Sequence, residues 1–155
     1  MVPWDALRAV RPMRAPTPYV ITEDDVLVPL RAARPTAVVA RDVPPGVLAG
    51  GSLALCTVDT GRLLPAYLAW YLNHPVTGLA LDRMTQGSNL QFVPLSALRA
   101  MKVVLPPLPV QRHIARAAGL HARAEALEQQ LAGARAALVS ALTLNALRHA
   151  NVRRA

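Results

Sequence analysis

The sequence predicts an α+β chain: a small mixed domain over residues 1–108, one long helix over residues 109–150, and a short basic tail, 151–155. Three observations predict it. Short β-type apolar runs are separated by Pro- and Gly-rich turns in the first two thirds. Regular βαβ spacing is missing there, which disfavours a doubly wound sheet. After Pro109 the apolar residues switch to alternating steps of four and three, the period of a helix that pairs with another helix.

Taken in order, Trp4 to Val10 reads as a short helical turn, and Pro12, Pro16 and Pro18 keep the next segment extended. Tyr19 to Ile21 is a candidate strand, Glu23-Asp24-Asp25 a solvated acidic turn, and Val26 to Leu30 a second strand. "PTAVVARDV" from Pro35 reads as a third strand. "SLALCTVD" from Ser52, nearly continuous in apolar residues, reads as the central strand, with Cys56 a buried structural thiol. "LPAYLAWYLNHP" is a helix, with Pro65 in its first turn and His74-Pro75 at its end. A second helix is expected over residues 76–84, a polar loop over 85–89, and a short strand over 90–93. Ser96 is expected to cap a turn over Ala97–Ala100, and Met101–Leu105 to form a last strand stopped by Pro106-Pro107.

The helix that follows carries an apolar seam at Leu120, Ala124, Leu127, Leu131, Ala134, Leu138 and Ala141, with Asn145 as a late polar member. Over residues 110–148 it would be roughly 58 Å long at 1.5 Å per residue. A stripe of that length needs a covering surface. The cover could be a second copy, a different subunit, or the domain itself.

Composition narrows the function. Net charge is +8, and Lys102 is the only lysine among 17 basic residues. Arginine suits phosphate and base edges, so nucleic acid is an admissible partner. Residues 1–110 carry ten basic and seven acidic side chains, and residues 111–155 seven and two, so the helix holds the larger excess. One cysteine excludes an internal disulfide and a cysteine-cluster zinc site. No segment reads as a signal peptide or a membrane span, and a cytoplasmic setting is expected.

The glycines Gly46, Gly50 and Gly51 do not form a dinucleotide-binding turn, and Ser52 lacks the nucleophile-elbow pattern. The carboxylates Asp59 and Asp82 are isolated, and His113 and His121 are eight residues apart, too far for a ligand pair on one helix. The expectation is therefore a chain with no catalytic residues, no metal and no cofactor.

Four stretches in this order carry a family resemblance: "TEDDVLVPLRA", "GRLLPAYLAWYLNHP", "MTQGSNLQFVPLSALRAMKVVLPPLPVQRHIA", and the heptad helix after Ile114. From about Glu23 to Ala141 the chain resembles the specificity (S) subunit of type I restriction–modification systems. It is similar to the second part of one target-recognition domain followed by one spacer helix, where full-length members have two of each. The most specific match is PPL-x-x-Q-x-x-I, at Pro106, Pro107, Leu108, Gln111 and Ile114. The resemblance implies a domain that reads half of a split target in double-stranded DNA, and a helix that spaces the halves and docks methyltransferase (M) subunits. It also implies that the chain has no activity of its own and that half-length forms pair as homodimers.

DNA contacts are then expected from arginines to phosphates and from amide side chains to base edges. The candidates are Arg31, Arg34 and Arg41 in the strand–turn region, and Arg83, Gln86, Ser88, Asn89 and Gln91 in the loop before Val93. The alternative is an interaction or structural remnant that binds methyltransferase or specificity subunits through its helix without reading DNA alone.

Overall fold

A computed structural model describes residues 4–9, 19–31, 36–77 and 93–152, with side chains up to residue 145. It contains a small mixed α/β domain, built on a three-stranded sheet with short helices, followed by one long helix. The strands are β1 (Val26–Pro29), β2 (Val38–Val39) and β3 (Leu53–Cys56); the helices are α1 (Pro65–Asn73), α2 (Leu95–Ala100) and α3 (Leu108–Val152). The chain divides into two compact units, Met1–Ala115 and Arg116–Ala155. The expected helix over residues 76–84, loop over 85–89 and strand over 90–93 lie outside the described residues, except at their ends.

All pairings are antiparallel and the strand order is β2-β1-β3. The central strand is therefore β1, which corrects the expectation that "SLALC" is central. The reason is that β1 is buried on both faces. Val26, Val28 and Leu30 face Ala54, Leu68, Ala69 and Leu72, whereas Leu27 faces a second cluster with Ile21 and Ala40. Pro29 looks unsuited to a middle strand, but the register admits it. Leu30 N–H donates to the Ser52 carbonyl at 2.7 Å. By the alternation of an antiparallel ladder, Pro29 and Leu53 then form a non-hydrogen-bonded pair. The absent N–H would face the β2 side, where pairing has already ended at Leu27↔Val38.

Tyr19–Ile21 is not a strand but a single bridge, Val20↔Leu48, flanked by Ile21 N–H to Val47 carbonyl at 2.9 Å and Ala49 N–H to Tyr19 carbonyl at 2.7 Å. The expected turn near the start is a 3-10 turn, Trp4–Ala6, anchored by Trp4 Nε1 donating to the Arg41 carbonyl at 2.8 Å.

The acidic triplet divides. Glu23 is exposed, but Asp25 is 2% exposed, so the reading of all three as solvated surface is corrected. Asp24 has φ of 70°, a left-handed conformation that aspartate tolerates, and the chain turns back after it. Asp25 Oδ2 accepts from Thr22 N–H at 2.7 Å and Thr22 Oγ1 at 2.8 Å, and Oδ1 accepts from Thr57 Oγ1 at 2.7 Å. Burial of a carboxylate is tolerable only with such partners.

Pro65 starts α1, where its missing N–H has no helical acceptor to lose. At the other end, the Asn73 amide accepts from Ala37 N–H at 2.7 Å and donates to the Ala37 carbonyl at 2.8 Å, tying α1 to the approach to β2. Ser96 lies inside α2, whose N-cap is Pro94 with no side-chain cap, so the expected serine cap is corrected. Met101–Leu105 is extended but pairs with no strand among the described residues. Its carbonyls instead accept side-chain hydroxyls from α1: Tyr67 OH to Val104 at 2.9 Å and Tyr71 OH to Lys102 at 3.2 Å. Among the described residues no helix is long and apolar enough to cross a membrane.

Candidate functional site

The junction between Pro106 and Ile114 is built around a fully buried polar side chain, Gln111. Pro107 supplies the first acceptor of α3, taking Val110 N–H at 2.9 Å and Gln111 N–H at 3.1 Å. Pro109 fits the first turn for the same reason as Pro65. Leu108 and Ile114 are half-buried, and Gln111 is 0% exposed.

The buried Gln111 amide satisfies three backbone groups from two segments. Oε1 accepts Leu64 N–H at 2.9 Å, immediately before α1. Nε2 donates to the Arg62 carbonyl at 2.9 Å and to the Pro106 carbonyl at 2.8 Å. Both amide protons are used, so only glutamine or asparagine chemistry fits, and only glutamine has the reach. Arg62 and Leu64 belong to the β3–α1 connection, 49 and 47 residues back in sequence. Nothing local in the sequence marks them as partners.

Beyond the junction, every residue from Gly119 to Asn145 is exposed. The seam leucines Leu120, Leu127, Leu131 and Leu138 are 50–61% exposed, and Ala124, Ala134 and Ala141 accompany them. Val139, Leu142 and Leu144 widen the apolar surface toward the end. The polar side holds a His121–Glu125 pair at 3.4 Å.

Two of the expected DNA-contact residues, Arg31 and Arg41, fall on the described chain and do not share a patch. Arg41 pairs with Glu23 and Asp24 at the N-terminal end of β1, at 3.6 Å and 2.5 Å. Arg31 is exposed and follows the opposite end of β1. With residue 24 level with residue 41 in this register, the two arginines are separated by roughly 20 Å of strand. Arg34, Arg83, Gln86, Ser88, Asn89 and Gln91 lie outside the described residues.

An open cleft of about 740 Å³ runs along β3, with Tyr19, Leu30 and Leu98 on its walls and Cys56 and Arg99 as its chemically distinctive groups. Cys56 is half-buried rather than buried, because β3 is an edge strand. Burial, and secondarily the Asp25 charge, push its thiol above the usual cysteine range. A higher value means less thiolate near neutral pH. Cys56 should therefore react with iodoacetamide at pH 8 severalfold more slowly than a free cysteine, and the gap should narrow as pH rises. Equal rates at pH 8 in the folded chain would contradict this. Among the described residues, no three histidine, cysteine or acidic side chains gather to hold a metal.

No protein-family model matches the chain, and no curated protein matches it.

Proposed function

We propose that the chain is a non-catalytic, sequence-specific DNA-recognition module of the type I restriction–modification kind, directing methyltransferase and restriction subunits to a target. The observation that carries this reading is the junction. The PPL-x-x-Q-x-x-I stretch is the most specific point of resemblance to S subunits, and here its Pro106, Pro107 and Gln111 each have a physical task. Pro107 starts the helix, Gln111 binds backbone of the β3–α1 connection, and Ile114 is half-buried one helical turn further on. Such a joint suits a protein that must hold a reading domain at the root of a long helix. On this reading the helix is a spacer, and its leucine seam pairs two copies into a homodimer.

Salt-dependent binding to duplex DNA tests the reading. A fluorescent duplex library should bind at low salt, lose at least tenfold in affinity between 50 and 200 mM salt, and show sequence preference above the non-specific background. Absence of binding at the lowest salt would remove the proposal.

The uncovered seam favours a second reading, in which α3 binds methyltransferase or specificity subunits and the chain reads no DNA alone. Co-purification with such a subunit, without duplex binding by the chain itself, would select it.

A further inference from the structure

Helical spacing sorts the charges of α3 onto two sides. At about 100° per residue, Arg112, Arg116 and Arg123 fall within about 40° of one another. They form a line about 16 Å long at 1.5 Å per residue. Gly119 lies between the last two on the same side, with open space where a side chain would stand. Gln130 continues the line two turns later. The acids of the helix, Glu125 and Glu128, lie roughly 140–160° away around the axis, with His121 and Arg135 on that same far side.

All three arginines are exposed, and among the described residues none of them is in an ion pair, whereas Arg41 is held by two carboxylates. The arginine line is centred about 50° from the leucine seam, with Arg116 and Arg123 each four residues before a seam leucine, Leu120 and Leu127.

We propose that this arginine line on α3 is a phosphate-contacting surface for duplex DNA. The inference rests on the DNA reading above and moves the backbone contacts from the sheet domain to the helix. Two features favour DNA over an acidic protein. The line has no large apolar residue within it to serve as the anchor a protein interface is built around. Its spacers are glycine and alanine, which allow the helix backbone close to a charged rail. A DNA strand presents a phosphate about every 3.4 Å of axis, so 16 Å of helix passes about five of them. Protein–DNA interfaces are polar and strongly positive in this manner.

The test uses the full chain, a fluorescein-labelled 30-base-pair duplex, and anisotropy between 50 and 200 mM salt. Arg116→Gln with Arg123→Gln should weaken binding at least tenfold at low salt. It should also flatten the slope of log affinity against log salt by about 1.8, at about 0.9 for each phosphate no longer neutralised. Arg116→Lys with Arg123→Lys should restore most of the slope, and Arg135→Gln, on the opposite side, should leave binding within twofold. Circular dichroism should show unchanged helix content, since these side chains are exposed. If the glutamine pair binds within twofold of the parent with the same slope, the helix surface is wrong while the DNA reading stands. If the parent binds no duplex at 50 mM salt, both fall. If polyglutamate competes as well as unlabelled duplex at equal charge, the partner is an acidic protein and the proposal is overturned.

Discussion

On the proposed pairing of two copies, Leu131→Asp is expected to leave the chain folded and to reduce its mass in solution from that of two copies to that of one. Leu131 lies mid-seam, 50% exposed in the single chain, with Leu127 one turn before it and Leu138 two turns after. Burying a leucine side chain contributes about 1.5–3 kcal/mol, and a carboxylate in the same place must be desolvated or must push the helices apart. A dissociation constant raised at least 100-fold, about 3 kcal/mol, is expected. Because Leu131 is exposed within the single chain, helix content and the domain's unfolding transition should change little. Light scattering on parent and variant decides the matter. If a folded Leu131→Asp has the same mass as the parent, the seam does not hold two copies together. An Asn145→Leu variant should act in the opposite direction and strengthen pairing, at some loss of register, as polar seam residues elsewhere fix register at a cost in stability.

The second large effect is expected at Gln111. Replacing it with alanine leaves the Leu64 N–H and the Arg62 and Pro106 carbonyls with no side-chain partner. An unsatisfied buried backbone group costs about 1–3 kcal/mol, and water entering the vacated space can recover part of this, so a loss of about 2–5 kcal/mol is expected. Gln111→Glu has almost the same shape and should be no better. It turns both amide donors into acceptors opposite two carbonyls, and the buried charge adds its own desolvation cost. Denaturant unfolding of the three proteins should rank parent above both variants. A Gln111→Glu variant as stable as the parent would show that shape, not donor chemistry, governs the site.

Much of the fold is legible in the sequence because its signals are local. The apolar runs at Val26 and Leu53, the Pro65 start of α1, and the seven-residue pattern after Pro109 each state their own structure. What is not legible depends on distant partners. Asp25 looks like surface beside Glu23 and Asp24, and its burial depends on Thr57, 32 residues later. Met101–Leu105 has strand-forming residues, but the groups that meet its carbonyls are tyrosine hydroxyls from a helix rather than a ladder. The ranks of β1 and β3 are the reverse of those expected, because Pro29 argues against a central strand unless the register is known. At the junction, the place of Gln111 in the PPL-x-x-Q-x-x-I stretch marks its importance, while its partners lie too far back to be named from sequence. The spacing of the arginine line on α3 is in the sequence too. Amide-rich loops are the stronger sign of base contact, and they draw the expectation away from the helix.

The tyrosine contacts of α1 also set a rule of measure. Tyr67 and Tyr71 are four residues apart on a helix, while Val104 and Lys102, whose carbonyls they hold, are two apart on extended chain. Four helical residues advance about 6 Å and two extended residues about 6.6 Å, so the two scales run in step. The same segment ends by presenting the Pro106 carbonyl to Gln111. All three acceptors are main-chain oxygens, indifferent to which side chains stand at 102, 104 and 106. Positions 102 and 104 of the connection between α2 and α3 are thus free in their spelling, while Met101 and Val103 pack on the core and the count is fixed. One inserted residue would put a carbonyl out of phase with its donor, while substitutions at 102 and 104 would pass unnoticed.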